Sequence, residues 1–152
     1  MKIVMVCLGN ICRSPLADGL LRKKVAQAGL DVEVDSAGTS AFHVGNPPDV
    51  RMQATAKSMG CPIDDLRSRQ FIVQDFDQFD RIFVMDQSNR QNVLSLARSA
   101  EDKAKVEMIL NLSYPNQELE VPDPYYGGDR GFQEVYQLLD EATDVLLNEL
   151  KK

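Results

Sequence analysis

The chain is poor in the residues that staple or metallate a small protein, with three cysteines and one histidine. Cys7, Cys12 and Cys61 cannot all pair, and the N-terminal apolar run is broken by Gly9 and Asn10, too early for a signal peptide. Both points favour a reducing, cytoplasmic setting over a disulfide framework. With His43 alone and no Cys-x-x-Cys pair, no structural metal is expected, and no cofactor motif stands out. No apolar run approaches the length of a membrane span. A basic excess is also missing: the net charge is −6, which argues against nucleic-acid binding but allows a small positive pocket. Repeats, low-complexity tracts and interdomain linkers are absent as well. The 152 residues, 43% apolar and 26% charged, fit one domain, 1–152, with a sizeable core.

What is present is an alternation of short apolar runs and helix-length segments. Lys2 to Val6, Val32 to Asp35, Asp80 to Met85 and Val106 to Leu110 read as strands. Pro15 to Ala28, Asp49 to Met59, Ser88 to Arg98 and Gly131 to Leu150 read as helices. Gly29 and Gly60 are placed as helix stops. Met52 and Ala54 are expected at or near the core. The Ser, Gly, Thr, Asn and Pro of 36–48 read as a loop, and so does 115–130. Strands alternating with helices predict an α/β fold: a small, doubly wound, four-stranded parallel sheet with helices on both faces. In such sheets ligands bind beyond the carboxyl ends of the strands. Cys7, Asp86 and the Ser36 loop are therefore expected on one rim.

The most informative stretch is Cys7-Leu8-Gly9-Asn10-Ile11-Cys12-Arg13-Ser14. It follows a strand and opens a helix. A helix start offers unpaired N–H groups and positive potential, a natural anion site. A thiol held there is favoured as the nucleophilic thiolate. Arg13 adds a planar fork for two phosphate oxygens. Gly9 and Asn10 tolerate the backbone angles of a cradling loop, and Ser14 can hydrogen-bond a thiolate. The bland alternative is a buried cysteine beside a surface arginine.

Other residues stay open on the residues alone. Asp123 is either a general acid for a departing oxygen or the opening of an Asp-Pro turn. Tyr125 and Tyr126 either line a cleft for an aromatic ring or pack within their loop. Phe42 can form a binding wall, and His43 fits a rim better than a base. Arg67 and Arg69 either meet an anionic substrate or, as fits better, are solvated surface charge.

Taken together these segments resemble the low-molecular-weight protein tyrosine phosphatases. The likeness rests on Cys7-Leu8-Gly9-Asn10-Ile11-Cys12-Arg13-Ser14-Pro15, Asp35-Ser36-Ala37-Gly38-Thr39-Ser40, Gly45-Asn46-Pro47-Pro48-Asp49, Met85-Asp86-Gln87-Ser88-Asn89 and Asp123-Pro124-Tyr125-Tyr126-Gly127. The resemblance implies hydrolysis of phosphotyrosine in proteins or peptides, with inorganic phosphate as product and no cofactor or metal. It makes Cys7 the nucleophile, through a phosphocysteine. Leu8, Gly9, Asn10, Ile11, Cys12 and Arg13 then hold the phosphate. Ser14 steadies the thiolate, and Asp123 serves as acid and then base. Asn10, Ser36 and Asp86 support the loop, and Phe42, His43, Tyr125 and Tyr126 wall the cleft. A reversible Cys7–Cys12 disulfide is a further implication.

One departure is visible. Many members of that family carry a histidine where this chain has Leu66, just before Arg67-Ser68-Arg69-Gln70. A polar contact behind the phosphate loop is therefore expected to be lost or replaced. Two rivals remain: a thiol arsenate reductase, which needs relay cysteines that are missing after Cys61, and a non-catalytic phosphate-binding or redox module.

Overall fold

The first strand sets the architecture. In the computed structural model, β1 (Lys2–Cys7) is almost wholly buried. Its alternate side chains go to opposite faces, as the pleat demands. Ile3, Met5 and Cys7 join one apolar cluster, and Val4 and Val6 join another. The structure describes residues 1–126 and 129–152; the side chains of Tyr126, Asp129 and Arg130 lie outside the described set.

After β1 come α1 (Arg13–Gln27), β2 (Glu33–Gly38), α2 (Val50–Ser58), α3 (Asp75–Gln78) and β3 (Arg81–Val84). They are followed by α4 (Gln87–Leu94), α5 (Ala100–Ala104), β4 (Val106–Met108) and α6 (Asp129–Leu150), with single 3-10 turns at Ile109–Asn111 and Pro124–Tyr126. The sheet is parallel, in the order β2-β1-β3-β4. The chain therefore winds one way from β1 to β2 and the other way to β3. That reversal puts the end of β1 at the switch point, where a doubly wound sheet opens a crevice.

Helices cover both faces. Leu16, Leu20 and Leu21 of α1, Met52 and Ala56 of α2, and Phe132, Val135 and Leu139 of α6 pack with Ile3, Met5 and Phe83. Phe76 of α3 and Val93 of α4 pack with Val4, Val6, Ile82 and Val84 on the other face. Each buried Leu, Ile, Val, Met or Phe side chain is worth roughly 1.5–3 kcal/mol, so a truncation such as Leu16→Ala is destabilising. The fold class read from the sequence holds.

Several boundaries differ. Ser36, Ala37 and Gly38 belong to β2 and pair with Met5, Val6 and Cys7. Their small polar character reads locally as loop, but pairing with a buried strand overrides it. At Gly38 a Cβ would lie 2.7 Å from the Leu8 carbonyl oxygen, so glycine is required there by close approach. Ala54 is exposed, and the buried face of α2 is Met52 with Ala56, spaced one turn apart. β4 stops at Met108 because the chain turns, while Ile109 and Leu110 remain buried. The expected helix to Arg98 ends at Leu94. The short helices α3 and α5 lack apolar periodicity; α5 is started by Ser99, which accepts from the Asp102 N–H. Gly29 and Gly60 follow α1 and α2 with φ of 69° and 79°, as helix stops require.

Candidate active site

The connection from β1 to α1 is held from behind. The carbonyl of Cys7 accepts from Thr39 N at 2.9 Å and that of Leu8 from Ser40 N at 2.9 Å. The Gly9 carbonyl accepts from Ser68 Oγ at 3.0 Å, and the Ile11 carbonyl accepts from Asp49 N at 2.8 Å. The acceptors of the loop are thus used by the scaffold. Among the described residues, the backbone N–H groups of Leu8 to Cys12 donate to no protein group. A curl with four carbonyls tied outward and its amides unspent has the donors an anion would need.

Asn10 makes the curl possible. Its φ is 56°, a left-handed value that asparagine tolerates. Its side chain is buried, with Oδ1 accepting from Arg69 N at 3.0 Å and Nδ2 donating to Ser14 Oγ at 2.8 Å. Gly9 is favoured for a different reason from the one expected. Its φ is not positive, but a Cβ there would sit 3.0 Å from His43 Cδ2.

Cys7 Sγ lies 3.0 Å from Ser14 Oγ, which is also 3.3 Å from the Ala37 carbonyl oxygen. Arg13, at the start of α1, is 2% exposed. Its Nη1 donates to Asp86 Oδ2 and to the Val121 carbonyl, both at 2.8 Å. Asp86 also accepts from Asn89 N through Oδ1 at 2.8 Å, capping α4. The cap and the arginine anchor are therefore one carboxylate. Burial opposes the guanidinium charge, yet Cys7 and the Asp86 hydrogen bond hold its pKa above the ordinary value. Asp123 Oδ2 lies 3.7 Å from Arg13 Nη2, while its Oδ1 accepts from Tyr125 N at 3.0 Å. Asp123 thus opens the Asp-Pro turn and also meets the arginine.

These groups face one cavity of about 340 Å³, lined by Cys7, Leu8, Gly9, Ile11, Cys12, Arg13, Ser40, Phe42, His43, Asp123 and Tyr125. The thiol, guanidinium and carboxyl sit among mostly apolar walls. Phe42 is 84% exposed and stands on the rim, edge-on to the His43 ring at 4.8 Å. The Tyr126 side chain, expected as a wall, falls outside the described residues. Asn10, Ser14 and Asp86 stand behind the lining as supports. Ser36 is buried in β2 and makes no hydrogen bond to Asn10 among the described residues; Arg69 N holds that position instead. Cys12 lines the cavity, and burial, followed by Asp49 and Cys7, pushes its thiol pKa up.

Several participants escape sequence reasoning. Arg69 is no solvated charge: it bonds Asp35 and Asp75 at 3.0 Å each, and its amide carries Asn10. With Ser68 it supplies the polar contacts behind the loop, while Leu66 packs against the core. Asp49, Ser40 and the Val121 carbonyl also contribute. The usable signal among them is Asp49 at the start of an expected helix, a capping residue type; α2 begins at Val50 with Asp49 as its cap. Cys61 is not among the residues lining the cavity and lies against Gly19 of α1. Among the described residues no cluster of three or more His, Cys, Asp or Glu groups could hold a metal, and no helix is long and apolar enough to cross a membrane.

Fold and cavity together define an α/β protein with a thiol, a guanidinium and a carboxyl lining a cavity at its sheet switch point. The chain belongs to the low molecular weight phosphotyrosine protein phosphatase family, whose model matches residues 2–152; it is an enzyme of the protein-tyrosine-phosphatase class. The low molecular weight phosphotyrosine protein phosphatase of Homo sapiens is 41% identical over 90% of this chain and 87% of its own. A protein tyrosine phosphatase structure from Entamoeba histolytica superposes with a TM-score of 0.92 at 38% identity, covering 99% of this chain and 97% of that one. A Drosophila arginine phosphatase structure also gives 0.92, at 32% identity, covering 100% of this chain and 99% of that one.

Proposed function

We propose that this chain, acting as a single cytoplasmic domain over 1–152, hydrolyses phosphotyrosine in proteins or peptides through a phosphocysteine on Cys7. In the first step the Cys7 thiolate attacks phosphorus, the bond to the aryl oxygen breaks, and Asp123 gives its proton to that oxygen. The loop amides from Leu8 and the Arg13 fork hold the three remaining phosphoryl oxygens, where charge spreads in the transition state. In the second step Asp123, now a carboxylate, takes a proton from water. The water oxygen bonds phosphorus, the S–P bond breaks, and Cys7 leaves as the thiolate with inorganic phosphate released. Ser14 donates to the sulfur in both states, and no metal or cofactor enters either step.

The observation that carries this reading is the convergence of Cys7, Arg13 and Asp123 on one cavity with apolar walls. The fold alone does not choose a substrate, since the Drosophila neighbour is titled an arginine phosphatase. Leu8, Ile11, Phe42 and Tyr125 favour an aryl ring over a guanidinium, because they offer apolar surface. The arsenate-reductase alternative loses support from Cys61, which sits outside the cavity. The test compares kcat/KM for matched phosphotyrosine, phosphoserine and phosphoarginine peptides. Preference for phosphotyrosine, abolished in Cys7→Ser while phosphate binding persists, supports the reading. Equal or greater efficiency on phosphoarginine or phosphoserine refutes the substrate, and residual turnover in a contamination-free Cys7→Ser sample refutes the mechanism.

A further inference from the structure

Asp123 sits on a stretch that must bring a carboxyl to the cavity, and one side chain outside the lining grips that stretch. Asp49 heads α2. Its N–H donates to the Ile11 carbonyl at 2.8 Å, and its Oδ1 accepts from Arg51 N at 2.8 Å. The Arg51 guanidinium meets the same carboxylate as a fork, with Nε to Oδ1 and Nη2 to Oδ2 both at 3.1 Å. Burial works against the Asp49 charge, yet hydrogen bonds from the Arg51 side chain and backbone hold its carboxyl below the usual range. The fork is thus a fixed ion pair, anchored on the loop that carries Cys7.

The free corner of the fork reaches the other loop. Arg51 Nη2 donates to the Tyr125 carbonyl at 3.0 Å. The guanidinium also lies over the Tyr125 ring at 5.5 Å and over the Phe132 ring of α6 at 4.7 Å. Tyr125 in turn donates its N–H to Asp123 Oδ1 at 3.0 Å. A continuous path of hydrogen bonds therefore runs from Ile11 through Asp49, Arg51 and Tyr125 to Asp123.

We infer that Arg51 is a positioning residue for Asp123: it fixes the distance between the loop of the nucleophile and the loop of the proton donor. The inference rests on the phosphatase reading above. Arg51 does not line the cavity, so it touches no reacting atom and acts through Tyr125. An arginine suits the role because its rigid plane bonds a carboxylate along one edge, offers a further N–H to a carbonyl, and stacks on rings. A lysine supplies charge but no plane. Placement matters because general acid catalysis is worth about 10²–10⁴-fold and a displacement of about 1 Å can cost on the order of 10²-fold.

The experiment measures kcat/KM for a series of aryl phosphates graded by leaving-group pKa, in wild type, Arg51→Met, Arg51→Lys, Asp123→Asn and the double variant Arg51→Met/Asp123→Asn. Methionine keeps apolar bulk over Phe132 and removes the fork. Arg51→Met is expected to lose about tenfold on poor leaving groups and under about twofold on activated ones, since these need less protonic help. Arg51→Lys should fall between, and inhibition by inorganic phosphate should change by less than about twofold. In the Asp123→Asn background Arg51→Met should add no leaving-group dependence, which is the coupling a double-variant cycle reads. Equal losses across the series overturn the inference, as does a full Arg51→Met effect without Asp123. Loss of phosphate inhibition in step with activity overturns it too, because Arg51 would then act through Asp49 on the phosphate loop. If Arg51→Met does not fold, Arg51→Lys carries the same comparisons. Failure of the phosphatase reading looks different: wild type itself would not turn over aryl phosphates.

Discussion

Ser14 carries one hydroxyl proton and has three polar neighbours, and that arithmetic makes Ser14→Ala informative. Asn10 Nδ2 donates into its oxygen at 2.8 Å. The proton then has two acceptors to choose from, Cys7 Sγ at 3.0 Å and the Ala37 carbonyl at 3.3 Å. An anionic sulfur wins, because charge-assisted hydrogen bonds are the stronger ones. Ser14 is fully buried and Cys7 nearly so, so solvent screens the interaction little. Removing the hydroxyl costs the thiolate roughly 1.5–3 kcal/mol. At ~1.36 kcal/mol per tenfold, breakdown of the proposed phosphocysteine, where sulfur would be the leaving group, should slow by about 10- to 150-fold. Attack should slow less, because a less stabilised thiolate is also more nucleophilic. Stopped-flow with an activated aryl phosphate should therefore show a phenolate burst followed by depressed steady turnover. Asn10 Nδ2 is orphaned at the same time, which should lower unfolding stability by roughly 1–3 kcal/mol in urea titrations. A Ser14→Ala enzyme with kcat within about twofold of wild type and unchanged stability would refute the assignment of that proton to Cys7.

Three further outcomes follow from single residues. Asp18 is fully buried, and burial, opposed by Arg22, raises its pKa from 3.8 to about 6. A raised carboxyl favours folding below pH ~4 and loses that advantage as pH rises through about 6, a gap worth ~3 kcal/mol. Asp18→Asn should accordingly be the more stable protein at pH 8 and equal to wild type near pH 4 by urea unfolding; a variant weaker than wild type at both would reject this. Phe42→Ala should raise KM for aryl substrates about threefold with kcat unchanged, because an exposed rim side chain contributes only what it buries against the ligand; a fall in kcat at constant KM would contradict a wall role. Mild peroxide should inactivate wild type reversibly and Cys12→Ser irreversibly, since the sulfenic acid formed on Cys7 by peroxide can condense with the Cys12 thiol, releasing water; mass spectrometry showing no Cys7–Cys12 link, with equal recovery of both proteins by dithiothreitol, would end that idea.

Legibility in the sequence followed the range of the interactions. The Cys7–Ser14 segment could be read because strand end, loop, helix start and polar groups are contiguous there, so its chemistry is local. The last helix could be read because its apolar stripe repeats with the helical period. Ser36 to Gly38 could not, because three small residues become strand only by pairing with β1. Arg69 looked like solvent-facing charge, since nothing within a few residues announces Asp35 or Asn10 as its partners. Arg51 was silent because its local pair with Asp49 gives no hint of its distant contacts, Tyr125 and Phe132. Asp123 shows why local alternatives need not exclude each other. Its Oδ1 starts the Asp-Pro turn, as the bland reading holds, and that turn is what aims Oδ2 toward Arg13. A carboxylate with two oxygens can satisfy a turn with one and keep the other for the cavity, so the structural role is the means of the proposed chemical one.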